Sequence, residues 1–223
     1  MKELTIQALY DLEHTAAKPL LSRVTYPWEA LGGIGDWILE LGKTLDSSEY
    51  DHPQETVWIH RSAEVAPSAF LGERIIIGAQ TQVRHCAFLR GNALIGCGAV
   101  VGNSTELKNV ILFDGVQVPH YNYVGDSILG YRAHMGAGAI TSNVKSDKTP
   151  VAVAAGDRRI ETGLKKCGAM LGDLVEIGCG SVLNPGTVIG RESSVYPLSM
   201  VRGFIPAGHI YKCRSEIAEK QDR

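Results

Sequence analysis

"LRGNALIGCGAVVGNSTELKNVILF", residues 89–113, carries an apolar residue at every sixth position: Leu89, Ile95, Val101, Leu107 and Phe113. The same phase runs back through Val83, Ile77, Leu71 and Val65 to Ile59. A helix cannot give a period of six, and a simple strand gives two. Six residues make one short strand and one turn, and three such units close a triangular coil of about 18 residues with the periodic aliphatic inside. Stacked coils bury one continuous core and pair their backbones from coil to coil. Glycine at the following position (Gly72, Gly78, Gly96, Gly102) suits a tight corner. The pattern predicts an all-β solenoid, the left-handed parallel β-helix of hexapeptide repeats.

After Phe113 the next slot falls on Pro119, inside "VPHYNYVGD", 118–126, so the repeat reads as broken there. A second run follows in a new phase: Leu129 and Met135, then Leu171, Ile177, Leu183, Ile189, Val195 and Val201. Residues 143–166 interrupt the coils, and the apolar pieces 151–153 and 159–162 around Gly156-Asp157 predict a protruding hairpin. Residues 1–50 have no such period; Asp36 can cap a short helix that Gly42 ends. Solenoids need capped ends. The expected organisation is an N-terminal helical cap at 1–56, the β-helix domain at 57–206, and a charged tail at 207–223, read as a frayed helix from Arg214.

Composition narrows the partners. The 22 Lys and Arg against 24 Asp and Glu leave a formal charge of −2, which favours neither nucleic acid nor an anionic membrane. No run approaches the ~18 apolar residues of a membrane span, and the N-terminus lacks a signal-peptide core. The five cysteines contain no CxxC pair and read as reduced thiols of a cytoplasmic protein.

The corner after each aliphatic wants a small residue, and His60, Arg84, Arg90, Lys108 and Asp114 violate that rule. Arg90 and Lys108 are 18 apart, one full coil, so they are expected to stack at one corner about 4.8 Å apart along the axis. Two stacked cations repel each other and ask for an anion, and an Arg with a Lys suits phosphate. In unbroken register His120 would sit one coil above Gly102, on the adjacent corner, as a candidate general base. The seven histidines (His14, His52, His60, His85, His120, His134, His209) include no HxH or HxxxH pair, so no metal site is expected.

The stretch "FLRGNALIGCGAVVGNSTELKNVILFDGVQVPHYNYVGDSILGYRAHMGAGAITSN", 88–143, resembles the acetyltransferase domain of the bifunctional enzyme that makes UDP-N-acetylglucosamine. It is closer still to the β-helix domains of archaeal-type sugar-1-phosphate nucleotidyltransferases, which share a loop similar to "VKSDKTPVAVAAGDRRIETGLKKCGAMLGD", 144–173. The specific marks are Arg90, "GNSTELK", H-x-x-Y-x-G-D-S and GAG-x-x-x-x-N at matching intervals. The resemblance implies that Arg90, Lys108 and Tyr123 bind the sugar phosphate and that His120 is the general base. It implies that Asn143 contacts the acetyl-donor site and that Gly136, Ala137 and Gly138 lie along the pantetheine arm of acetyl-CoA. His134 stands where the bacterial enzyme has a sugar-holding asparagine, and Lys148 is the nearest match to its substrate-closing loop lysines. Lys165, Lys166 and Arg202 are candidates for the CoA phosphates.

The function so implied is acetyl-CoA-dependent N-acetylation of an amino-sugar 1-phosphate, glucosamine 1-phosphate first, in a homotrimer that builds its sites between subunits. No nucleotidyl transfer is expected, because residues 1–56 cannot hold that domain. The rival is a non-catalytic trimeric assembly or ligand-sensing module of the same fold.

Overall fold

The computed structural model describes residues 2–213 and 216–219. The chain winds into a left-handed parallel β-helix of about 9 turns. Each coil has three faces. Face 1 stacks short strands such as Gln82–Val83, Val100–Asn103, Gln117–His120 and His134–Met135 in parallel register. Faces 2 and 3 are the two halves of longer strands, Phe70–Ile77, Phe88–Ile95, Glu106–Leu112 and Tyr123–Leu129. These strands turn between the faces at Arg74, Asn92, Asn109 and Asp126, all in the left-handed region at φ 56°, 51°, 55° and 48°. Asn and Asp tolerate that region better than other side chains.

The period of six holds to Leu107, and there the register differs from the sequence reading. Leu89 pairs with Leu107, 18 residues on, but Gly91 pairs with Lys108, 17 residues on. One position has been dropped from the coil. The shaft residues that follow are therefore Leu112, Val118 and Val124, which pair with Ile95, Val101 and Leu107. Nothing breaks at Pro119. That residue lies directly over Gly102, where a Cβ would stand 1.6 Å from the Pro119 carbonyl oxygen, so only glycine fits beneath it.

Phe113, read as a shaft residue, occupies the corner that glycine fills in the neighbouring coils. It is fully buried there, its ring 5.1 Å from that of Tyr10. The second run keeps its register across a long insertion: Met135 pairs with Ile177, 42 residues on, which is one coil of 18 plus 24 extra. The extra chain forms the predicted hairpin, Ala152–Ala155 against Arg158–Glu161. It does not simply protrude. Val151 and Val153 are buried, and the hairpin's first arm lies on Gly186 and Gly203.

The N-terminal segment covers a side of the solenoid instead of its end. Face 3 carries apolar triplets, 75–77, 93–95, 110–112 and 169–171, whose middle residues Ile76, Leu94, Ile111 and Met170 point outward yet are buried. The helix Ile34–Gly42 packs over the first three of these strands. Further up, the Tyr10 hydroxyl donates to the Ile128 carbonyl at 3.3 Å. Asp173 ties down the start of the chain: its N–H donates to the Leu9 carbonyl, and its carboxylate accepts from the Asp11 N–H at 2.7 Å. The low end is closed by a strand, Tyr50–Gln54, antiparallel to Val57–His60. At the other end His209–Cys213 pairs with the antiparallel strand Glu216–Glu219, where charge patterning predicted helix. Among the described residues no helix is long and apolar enough to cross a membrane.

Candidate active site

The corner between faces 2 and 3 gathers four of the predicted site residues, Arg90, Lys108, Tyr123 and Asn143. Asp126, 4% exposed, sits at its centre. Lys108 Nζ donates to both carboxylate oxygens of Asp126, at 2.8 and 3.0 Å. Asn143 Nδ2 donates to the same carboxylate at 2.6 Å, and Asn109 Nδ2 at 3.1 Å. Asn143 also donates to the Tyr123 hydroxyl at 3.2 Å. Lys108, Tyr123 and Asn143 are thus one network: Asp126 joins Lys108 to Asn143, and Asn143 carries it on to Tyr123. Asp126 lies inside the "GDS" of residues 125–127, and its slot in the turn between faces predicts no role for it. The available signal was a carboxylate one coil above a lysine, 18 residues on, in a chain whose coils had become 17.

Arg90 and Lys108 do not stack as expected. Lys108 lies over Gly91, and Arg90 occupies the position that the next coil lacks. Both still line one shallow pocket of about 510 Å³, together with Glu73, Arg74 and Asn92. Arg90 Nη1 donates to Glu106 at 3.0 Å, and that bonded carboxylate holds its guanidinium pKa up. Burial raises the Tyr123 phenol, with the Glu106 and Asp126 charges adding to it. Sequence reasoning missed Arg74 because its slot belongs to the turn between faces and not to the corner after an aliphatic.

His120 is exposed and lies at the opposite edge of face 2, in register with Asn103 and not with Gly102. Its N–H donates to Asn122 Oδ1 at 3.1 Å, and its carbonyl accepts from the Gly138 N–H at 3.0 Å. Asn122 is the buried wedge of the turn, donating to the Gly136 and Ala139 carbonyls at 2.8 and 3.0 Å. The residues crowded around Pro119 thus serve the turn first. Face 2 spans about 10 Å of extended chain between this turn and Lys108. One prism therefore does not bring His120 against the Lys108 corner.

The other predicted residues divide similarly. Gly136, Ala137 and Gly138 adjoin His120, but the Gly136 N–H already donates to Ile177 and the Gly138 N–H to His120. Of these three N–H groups only that of Ala137 is left for an oxyanion among the described hydrogen bonds. His134 is on face 1, its Nδ1 2.7 Å from Glu176 Oε2, and both line a separate groove with Cys97 and Arg132. Lys148 is exposed in the loop before the hairpin. Lys165, Lys166 and Arg202 are exposed and flank the hairpin, next to Cys167 and Gly203. Among the described residues no three His, Cys, Asp or Glu side chains group as metal ligands.

A bifunctional sugar-1-phosphate nucleotidylyltransferase/acetyltransferase of Sulfurisphaera tokodaii is 27% identical over 193 residues, 83% of this chain and 47% of that one. The chain is a relative of hexapeptide-repeat acetyltransferase domains. The bifunctional protein GlmU of Methanococcus aeolicus is 30% identical over 167 residues, 75% of this chain and 40% of that one. The chain spans about half the length, or less, of these two curated relatives. No protein-family profile matches it. Among solved structures, the acetyltransferase domain of PglB from Neisseria gonorrhoeae in complex with acetyl coenzyme A superposes with a TM-score of 0.36. That match has 19% identity over 74% of this chain and 57% of the other.

Proposed function

We propose that this protein transfers the acetyl group of acetyl-CoA to the amine of an amino-sugar 1-phosphate, glucosamine 1-phosphate first. The observation that carries the reading is the corner network. Lys108 and Asn143 meet on one buried carboxylate, Tyr123 joins through Asn143, and Arg90 shares a pocket with Lys108. The acetyltransferase relatives point the same way. Arg90, Lys108 and Tyr123 hold the phosphate and sugar, and His120 takes the proton from the attacking ammonium. The neutral amine attacks the thioester carbonyl directly, the C–S bond breaks, and the proton the nitrogen sheds on becoming an amide goes to the sulfur, so CoA leaves as the thiol. The pantetheine arm runs along Gly136–Gly138 toward Asn143, with Lys165, Lys166 and Arg202 at the CoA phosphates. Lys148 closes on the sugar from its loop; His134, bonded to Glu176 in the separate face 1 groove, is given no role at this corner.

A trimer completes the site in this reading, since His120 and the phosphate corner stand at opposite edges of one face. The separation of those groups within one chain is also what favours the rival, a non-catalytic trimeric module. The deciding experiment is CoA-thiol release from acetyl-CoA with a panel of amino-sugar phosphates. On a substrate that is turned over, His120→Ala should lower kcat by about 10²–10⁴ with little change in KM. Arg90→Ala should mainly raise KM, because it removes binding present in ground and transition state alike. No release with any member of the panel sinks the enzyme reading. Near-normal turnover by the His120 variant removes the base assignment.

A further inference from the structure

Each predicted phosphate ligand of the corner pocket already has a carboxylate partner. Lys108 is held by Asp126, 6% exposed at its side chain, and Arg90 by Glu106. The third cation of the pocket, Arg74, has none: among the described residues its side chain makes no ion pair, and the bond recorded for it is a backbone one, its N–H donating to Thr56 Oγ1 at 3.0 Å. Its column is otherwise Asn92, Asn109 and Asp126, which bond one to the next at 3.3 and 3.1 Å. Arg74 stands at the foot of that ladder. Its guanidinium is placed from behind by the helix start: a Cβ on Gly35 would stand 3.0 Å from Arg74 Nη1 and 2.8 Å from Asn92 Oδ1. Arg74 is half-buried, lines the pocket and has no counter-ion among the described residues, so its charge and unused N–H donors are open to an anion there.

We propose that Arg74 reads the phosphate in this pocket together with Arg90, and that the pocket takes the phosphomonoester dianion of the acceptor. Lys108, tied through both its bonds to Asp126, then shapes the pocket floor more than it supplies free charge. The inference rests on the sugar-phosphate reading above for its ligand and deepens it. Glu73, the exposed carboxylate on the rim, sets the sign of a second test, because it repels a dianion.

The measurement is calorimetric binding of glucosamine 1-phosphate, free glucosamine and inorganic phosphate to the full chain without acetyl-CoA. Arg74→Gln should weaken both phosphate ligands about tenfold or more and leave free glucosamine unaffected. Arg74→Lys should fall between Gln and wild type, because it keeps the charge and loses the fork. Glu73→Gln should tighten the phosphates, an effect that damaged folding would not produce; thermal melts check each variant. Wild-type phosphate affinity in Arg74→Gln overturns the proposal, as does an intact protein that binds neither phosphate ligand. Arg74-dependent binding in a protein that never releases CoA thiol would leave this pocket standing and remove the transferase. Acetyl transfer with phosphate affinity indifferent to Arg74 would do the reverse.

Discussion

Asp126→Asn keeps the shape of the corner and removes its charge. The amide cannot accept from Lys108 and Asn143 through two equivalent oxygens, so the half-buried ammonium of Lys108 loses its counter-ion. A hydrogen bond to a charged group contributes about 1.5–3 kcal/mol, and a loss of that order is expected in urea unfolding. KM for the sugar phosphate should rise with it, since Lys108 and Asn143 lose their common anchor. A variant within about 0.5 kcal/mol of wild type, the range of an ordinary surface change, would show that Asp126 organises nothing. The cations at this corner were legible from a rule, that small residues belong after each aliphatic. Asp126 and Arg74 were not. Both sit in the turn between two faces, where the rule makes no statement.

At the scale of elements, Phe113 separates two accounts of the same residue. Were it in the shaft, its loss would hollow the coil. At the corner against Tyr10 it clamps the N-terminal segment, and Phe113→Ala should cost about 3–5 kcal/mol. Hydrogen exchange should then quicken in residues 2–42 while strands of faces 1 and 2 stay protected; loosening of Val118 and Leu112 instead would return Phe113 to the shaft. The misreading has a plain cause. A dropped position shifts every later residue by one, and Phe113 is apolar enough to satisfy the old phase. The fold class needed only the many matching slots on either side. The lateral cover of face 3 was also written in the sequence, as the triplets III, ALI, VIL and AML, which have one apolar residue more than an exposed face requires.

Asp173 joins that cover to the coils and gives the joint a pH dependence. Burial raises its carboxyl above the ordinary 3.8, outweighing the bonds from the Asp11 and Tyr131 N–H groups and the Arg191 charge, which lower it. The folded state therefore holds this proton more tightly than the unfolded chain. Its contribution is full below the unfolded value and is lost as pH rises through the raised folded one. Asp173→Asn has no such titration. Its stability relative to wild type should become more favourable from about pH 3 to pH 7, as read from urea midpoints. A constant difference across that range would remove the raised pKa.

At the scale of the molecule, the proposed site needs a neighbour. Phe70 and Phe88 stack edge to face at 5.3 Å on the outer side of face 2, 59% and 39% exposed, in the column that continues to Glu106 and Tyr123. Light scattering across the micromolar range should give three times the chain mass of 24.1 kDa. A monomer throughout would leave His120 and the phosphate corner without a means of meeting.

The attachment of Leu9 and Asp11 to Asp173 also orders events during synthesis. The two contacting segments lie 162 residues apart, so at 5–20 residues per second the first has left the ribosome roughly 8–30 s before its partner exists. The coils can stack upward as they emerge, each on the one below. The first forty residues cannot finish docking until most of the chain has been made. The Tyr10 hydroxyl and the Leu9 carbonyl wait for Ile128 and Asp173, so this stretch settles only on coils that follow it by 118 residues or more.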